Sequence, residues 1–253
     1  MDSLAPERLV PLEAVHNFRD IGGYLGQSGL SVKRGVLYRA DGLYRLTASD
    51  IEVIRVLGIQ TVIDLRSAEE LHNVGTFPQD AIEVNFHHVP IIDSTWQHSD
   101  VPDFDEDTDF LMWAYTQMLS EGAAQFQRAF SIISDWPQMP LVYHCAAGKD
   151  RTGLLTMLLL GVLGVDDDVI VRDYALSEPA MLRMMEWART EYPDLETRMS
   201  ASPKYFLSAN PRAMTNLIQK LREEHGDFYG IAASLGITET AIESLKSMML
   251  IAN

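Results

Sequence analysis

The sequence predicts an α/β fold, a mostly parallel central sheet flanked by helices, with a helical C-terminal half. Three observations predict it. Short apolar, strand-like runs alternate with helical patterns up to residue 144, the pattern then turns to helices alone, and the first of these, 151–163, is apolar all round. Alternating strands and helices build a sheet covered by helices, and a helix without a polar face belongs at the centre of a fold.

The strand-like runs are residues 36–38, 60–65, 82–89 and 141–144, each a short apolar core. Residues 47–57 open with Thr47 and Asp50 in a capping pattern and stop at Gly58, which predicts a helix. A helical region over 110–134 breaks near Gly122. Helices follow at 151–163, 167–176, 179–191, 211–224, 228–235 and 238–251. In the last, Thr238 is a good N-cap and Ala241, Ile242, Leu245, Met248 and Met249 share a face. The stretch 93–109 carries Asp93, Asp100, Asp103, Asp105, Glu106, Asp107 and Asp109 and reads as a loop whose carboxylates mostly face water. No repeat, low-complexity tract or linker divides the chain, so one domain over 1–253 is expected.

Composition narrows the function classes. The 253 residues carry a net charge of −16, which argues against nucleic acid and anionic membranes as partners. No apolar run approaches the roughly 20 residues of a membrane span. The longest, 154–165, is interrupted by Gly161 and Gly164, so stable membrane insertion is not expected. Residues 1–10 lack the pattern of a signal peptide, and the expected location is cytoplasmic, export without a cleaved signal staying open. A single cysteine rules out an internal disulfide and a cysteine-built zinc cluster. No metal and no cofactor is expected, and the oligomeric state is not legible.

That one cysteine sits in the most informative segment, His144-Cys145-Ala146-Ala147-Gly148-Lys149-Asp150-Arg151-Thr152-Gly153. A buried strand ends at His144, a tight turn follows, and a buried helix begins near Arg151. Backbone N–H groups of such a turn converge on a point at the positive end of the helix, an anion site before any side chain is counted. The dipoles that attract phosphate also stabilise a thiolate, which makes Cys145 the candidate nucleophile. Arg151 can fold back to grip two phosphoryl oxygens with its planar fork. Thr152 can place a hydroxyl near the sulfur, Gly148 permits a backbone conformation that a Cβ hinders, and Gly153 lets the helix pack closely.

These residues carry a family resemblance. His-Cys-x5-Arg-Thr-Gly resembles the signature of the cysteine-based protein tyrosine phosphatases. The variant Ala146-Ala147-Gly148-Lys149-Asp150 is similar to the atypical bacterial protein tyrosine phosphatase family, tyrosine/phosphoinositide phosphatase-like, the branch typified by mycobacterial protein tyrosine phosphatase B. Further matches are Asn17-Phe18-Arg19-Asp20 with Gly22-Gly23, Leu37-Tyr38-Arg39, Asp64-Leu65-Arg66-Ser67 with Glu70, and Val171 with Asp173-Tyr174. The resemblance implies a cysteine-phosphatase fold and hydrolysis of phosphate monoesters through a phosphocysteine intermediate. It implies phosphotyrosine, phosphoserine/threonine or phosphoinositide substrates, on a protein or a lipid, and a helical lid over about 178–200. It also implies that Lys149 adds positive charge beside the phosphate and pairs with a second phosphate of a polyanionic headgroup. Lipid-specific relatives often carry a further Lys where this chain has Ala146, a departure that leaves strict lipid specificity open.

Two carboxylates compete to protonate the leaving group. Asp93 follows the run 82–89 and, if that strand is parallel to 141–144, shares the carboxyl edge with Cys145. It also matches the acid of dual-specificity relatives. Asp150 lies in the loop itself, as in the resembling branch, and is favoured as the acid/base with Asp93 as helper. Arg66 ends the run 60–65 and is assigned to substrate binding together with His144, Ala146, Ala147, Gly148, Lys149, Thr152 and Gly153; a structural Asp64–Arg66 pair is the competing reading. Asp135-Trp136-Pro137 precedes the strand leading to Cys145 and is a turn at its far end, not part of the site. The alternatives are a phosphoinositide-specific phosphatase, a phosphate-binding module, which has no use for both Cys145 and Arg151, and a sulfurtransferase, which has no use for the Arg151-Thr152-Gly153 helix start.

Overall fold

The structure, a computed structural model, describes residues 8–92, 102, 104, 106–191 and 208–252. Its main sheet contains β1 (Arg19–Asp20), β3 (Leu37–Ala40), β4 (Thr61–Asp64), β5 (Asn85–His88) and β6 (Leu141–His144) in the order β1-β3-β6-β4-β5. β3, β6, β4 and β5 run parallel, and β1 closes one edge antiparallel. β2 (Ser31–Val32) and β7 (Leu250–Ile251) form a separate antiparallel pair.

The centre of the sheet is buried on both faces, as parallel sheets require. Side chains alternate accordingly. Leu37, Ile63, Leu141 and Tyr143 join the larger core, while Tyr38, Ala40, Val62 and Val142 join a second one with Phe18, Ile54 and Phe77. Ile54 belongs to α1 (Ala48–Val56), whose start is fixed by the reciprocal Thr47/Asp50 capping box. The larger core is filled by α3 (Asp107–Glu121), α4 (Ala123–Ile133), α5 (Asp150–Val162), α6 (Asp167–Ala175), α8 (Pro211–His225), α9 (Phe228–Ser234) and α10 (Glu239–Met249). α5 is buried at every position from Thr152 to Val162, which accounts for its lack of a polar face. α7 (Ser177–Glu191) follows α6 directly.

Register positions the site. Ala40, His144 and Asp64 are neighbours across β3, β6 and β4, so three carboxyl ends open onto one edge. The loop of Cys145 leaves that edge and enters α5 at Asp150.

The mostly parallel sheet and the helical C-terminal half agree with expectation, and Leu141–His144 and the break at Gly122 fall as predicted. The run 82–89 shortens to Asn85–His88, because Pro78 turns the chain and its carbonyl accepts the amides of Ala81 and Ile82. One helix was not expected, α2 (Ala68–Val74). Seven residues are too few to display a period, although its Ser67/Glu70 capping box was present in the letters. No helix among the described residues is long and apolar enough to cross a membrane.

Candidate active site

The loop after β6 is held from outside by its carbonyls. Gly42 N–H donates to Ala146 O at 3.0 Å, Asn17 Nδ2 donates to Ala147 O at 2.9 Å and Gly148 O at 3.1 Å, and Arg39 Nη2 donates to Gly148 O at 2.7 Å. With successive carbonyls fixed outward, the loop is braced in the manner of an anion-binding nest. Gly148 has φ +65°, and a Cβ there would stand 2.5 Å from Ala40 O. Gly148→Ala is therefore expected to cost more than about 1 kcal/mol of stability and to lower turnover beyond the loss of folded protein. Thermal melts beside kcat at a temperature where both proteins are folded check this; an alanine variant with native kcat shows the loop shape to be dispensable.

Cys145 is 2% exposed at the bottom of this turn. Arg151 enters from the first turn of α5 and is clamped by Glu70, a residue that the sequence offers only through the family resemblance. Glu70 takes Arg151 Nη1 at 2.5 Å on Oε2 and Nη2 at 2.9 Å on Oε1, while its Oε2 also accepts Ser67 N–H at 2.8 Å. The capping box of α2 thus fixes the carboxylate that fixes the arginine. Burial works against the Arg151 charge, but hydrogen bonding to Glu70 and the negative charges of Cys145 and Glu70 outweigh it and raise the guanidinium pKa. Burial opposes the Glu70 charge as well, and Arg151 prevails there too, holding the carboxyl below its ordinary value. Among the described residues, Nε–H and the remaining Nη protons of the fork have no other hydrogen-bond acceptor, and a guanidinium so held can offer them to an oxyanion.

Beneath the loop lies a buried ionic knot. Asp173 of α6 receives Arg19 Nε at 3.2 Å, Arg39 Nη1 at 2.6 Å and Tyr24 OH at 3.0 Å. Arg19 Nη2 also reaches the Asp173 carbonyl at 2.9 Å and Ser177 Oγ at 3.3 Å. Burial opposes ionisation of Asp173, yet Arg19 and Arg39 overcome it and hold its carboxyl far below the usual range. Arg19 Nη1 donates to Asn17 Oδ1, so the knot orients the amide that grips the loop.

The predicted site residues separate into groups. Thr152 is buried, and its Oγ1 has no hydrogen-bond partner among the described residues. Gly153 lies against Tyr174, where a Cβ would stand 3.1 Å from Cδ2. Ala146 and Ala147 are half-buried and form the loop itself. His144 is turned inward: its Nδ1 lies 3.2 Å from Cys145 O and its Nε2 3.5 Å from Asp64 Oδ2. Burial, with Arg66 adding to it against Asp64, lowers its pKa.

Arg66 and Lys149 depart from expectation. Arg66 is fully buried, with Nε and Nη2 on Asp64 at 2.9 and 2.6 Å and Nη2 on Gly75 O at 2.9 Å. The competing reading, a structural Asp64–Arg66 pair, describes it, because a buried guanidinium takes the nearest carboxylate. Lys149 is also fully buried; its Nζ donates to Ser208 O at 2.8 Å and lies 3.3 Å from Asp150 Oδ1. The ammonium is turned into the protein.

Asp150 occupies the first turn of α5 with 18% of its side chain exposed, and Oδ1 accepts Tyr115 OH at 2.7 Å. Asp93 lies outside the described residues. So does the second half of the expected lid, 192–200. The first half is α7, whose Trp187 ring lies 5.5 Å from that of His16 and whose Arg183 Nη2 donates to His16 O at 3.0 Å, beside Asn17. The turn Trp136–Gln138 precedes β6 at the end opposite Cys145.

The chain is similar to known proteins over most of its length. A model of the Tyrosine phosphatase family matches residues 10–251. A Cupriavidus necator protein named as a tyrosine-protein phosphatase is 32% identical over 64% of this chain, a match spanning 60% of that relative's length. A Nostoc commune tyrosine-protein phosphatase is 28% identical, covering 82% of this chain and 72% of the relative. The triple specificity protein phosphatase PtpB of Mycobacterium tuberculosis is 26% identical, over 94% of this chain and 98% of its own length. With the family matched from residue 10 to residue 251, and Cys145 in the loop that leads to Arg151 on the first turn of α5, the chain belongs to the tyrosine phosphatase family.

Proposed function

We propose that this chain, acting as one domain, hydrolyses phosphate monoesters through a phosphocysteine intermediate. Phosphotyrosine is the main substrate, and phosphoserine/threonine is within reach. The observation that carries the reading is the Arg151 fork clamped by Glu70 at the head of the loop of Cys145. An arginine fixed in this way presents its remaining donors in one geometry, and the phosphoryl oxygens meet it without reorganisation.

In the first step the Cys145 sulfur attacks phosphorus, the ester P–O bond breaks, and the leaving oxygen takes a proton from a carboxyl group. In the second, water attacks phosphorus, the S–P bond breaks, and the same carboxylate accepts the proton of the water. Asp150 is assigned this acid/base role, with Asp93 as helper. The loop N–H groups and Arg151 bear the charge on the equatorial oxygens, and the Thr152 hydroxyl serves the departing sulfur.

Substrate class turns on Lys149. A lysine directed at Ser208 O supports the loop rather than a second phosphate. A panel of phosphotyrosine peptides, phosphothreonine peptides and phosphoinositide vesicles, run with Lys149→Ala, tests this. The expected result is that phosphotyrosine is turned over best and the variant loses rate on all three alike. Loss on phosphoinositides alone restores the headgroup role of Lys149, and absence of turnover on every phosphate ester overturns the function itself.

A further inference from the structure

Asp150 does not stand by itself. Its Oδ1 receives the Tyr115 hydroxyl at 2.7 Å, and the Tyr115 oxygen lies 2.6 Å from that of Tyr174. Both tyrosines are fully buried, their rings meeting edge to face at 82° with centroids 6.2 Å apart. Tyr115 has one hydroxyl proton. Given to Asp150, it leaves the Tyr115 oxygen as an acceptor, so Tyr174 donates to Tyr115 and the chain of bonds has a single direction. Burial, with the Asp150 charge in support, raises the pKa of both phenols, and both remain donors across the working range of an enzyme. Lys149 Nζ, 3.3 Å away, faces the same Oδ1. Oδ2 accepts no hydrogen bond among the described residues.

The pair has an entry condition in the backbone. Tyr174 reaches Tyr115 by lying against Gly153, at a distance that leaves a Cβ little room. Three elements therefore meet on one carboxylate: α3 brings Tyr115, α6 brings Tyr174, and α5 brings Gly153 and Asp150 itself.

We propose that Tyr115, backed by Tyr174, is the positioning residue for Asp150, pinning Oδ1 so that Oδ2 is the oxygen that exchanges the proton with the leaving group and with water. A carboxylate on the first turn of a helix has a free χ2, and an acid/base misplaced by about 1 Å loses on the order of 100-fold in rate. A buried phenol bonded to one oxygen removes that freedom without contacting the substrate. The inference rests on the acid/base reading of Asp150.

The test is a mutant cycle of Tyr115→Phe, Asp150→Asn and their double variant, with Tyr174→Phe beside them, on a series of aryl and alkyl phosphates. Tyr115→Phe is expected to lower kcat roughly tenfold on esters with poor leaving groups, with KM unchanged and little loss on esters with good ones. In the Asp150→Asn background the same change should cost nothing further. Tyr174→Phe, which leaves the bond to Asp150 intact, should cost less than Tyr115→Phe and provides a second variant if the first is poorly folded. A Tyr115 loss that adds fully to that of Asp150→Asn, or one matched by Tyr174→Phe, reveals packing only and overturns the positioning role while leaving Asp150 in place. An Asp150→Asn enzyme with native kcat and leaving-group dependence overturns the acid/base reading and the inference with it.

Discussion

Cys145→Ser is expected to lower hydrolysis of aryl phosphates by about 10⁴-fold or more, the scale seen when an enzyme loses its nucleophile. The neighbouring imidazole is not turned to activate a serine hydroxyl at this position, since His144 directs Nδ1 to the Cys145 carbonyl and Nε2 towards Asp64. The loop, with its carbonyl anchors and the Arg151–Glu70 clamp, survives the change, so the variant should still bind a phosphotyrosine peptide. Rapid-quench kinetics and mass spectrometry check both halves, because wild-type enzyme quenched during turnover should carry one phosphoryl group and the variant none. Residual activity above about 1% of wild type would place the nucleophile elsewhere.

The second large effect concerns stability. Asp173→Asn removes the one carboxylate among the described residues bonded to both Arg19 and Arg39, groups no more than 2% exposed. Breaking a buried pair from one side costs about 3–5 kcal/mol, since the surviving charges stay out of water. For a chain of this size the melting temperature should fall on the order of 10 °C. The pH dependence has a definite sign. The folded-state pKa of Asp173 is depressed, so its contribution is fully present above the ordinary carboxylate value near 4 and is lost as pH falls through the folded value. Wild-type melts should therefore drop on acidification more steeply than those of the variant. Equal melting temperatures at neutral pH would show the ionic knot to be energetically idle.

Much of the fold could be read from the letters because local and tertiary preferences agree there. Leu141–His144 is buried on both faces and reads as a strand, and the following helix reads as central because nothing on it is polar. Cys145 and Arg151 were legible for a related reason: anion-binding chemistry at a helix start compresses into ten consecutive residues. Contacts between distant segments were not legible. Glu70 lies 81 positions from Arg151, and Tyr115 lies 35 from Asp150; only the folded sheet edge brings them together. Arg66 and Lys149 differ in this respect. Arg66 was assigned to the rim because it follows a strand end, yet its partner Asp64 lies two residues away and the competing structural pair was legible; Lys149 was assigned by its place in the loop, and the Ser208 carbonyl that it reaches is 59 positions away.

The knot beneath the loop joins two guanidinium groups to a single carboxylate, an excess of one positive charge sealed inside a chain whose overall charge is −16. Dissolved ions cannot enter to neutralise it, and the low polarisability around it lets its field reach further than that of any surface lysine. The protein can therefore be strongly acidic at its surface, repelling polyanions at long range, and still present an incoming phosphate with an attraction that dissolved salt does not erode. Selectivity for a small anion over a large one then begins before any side chain touches the substrate.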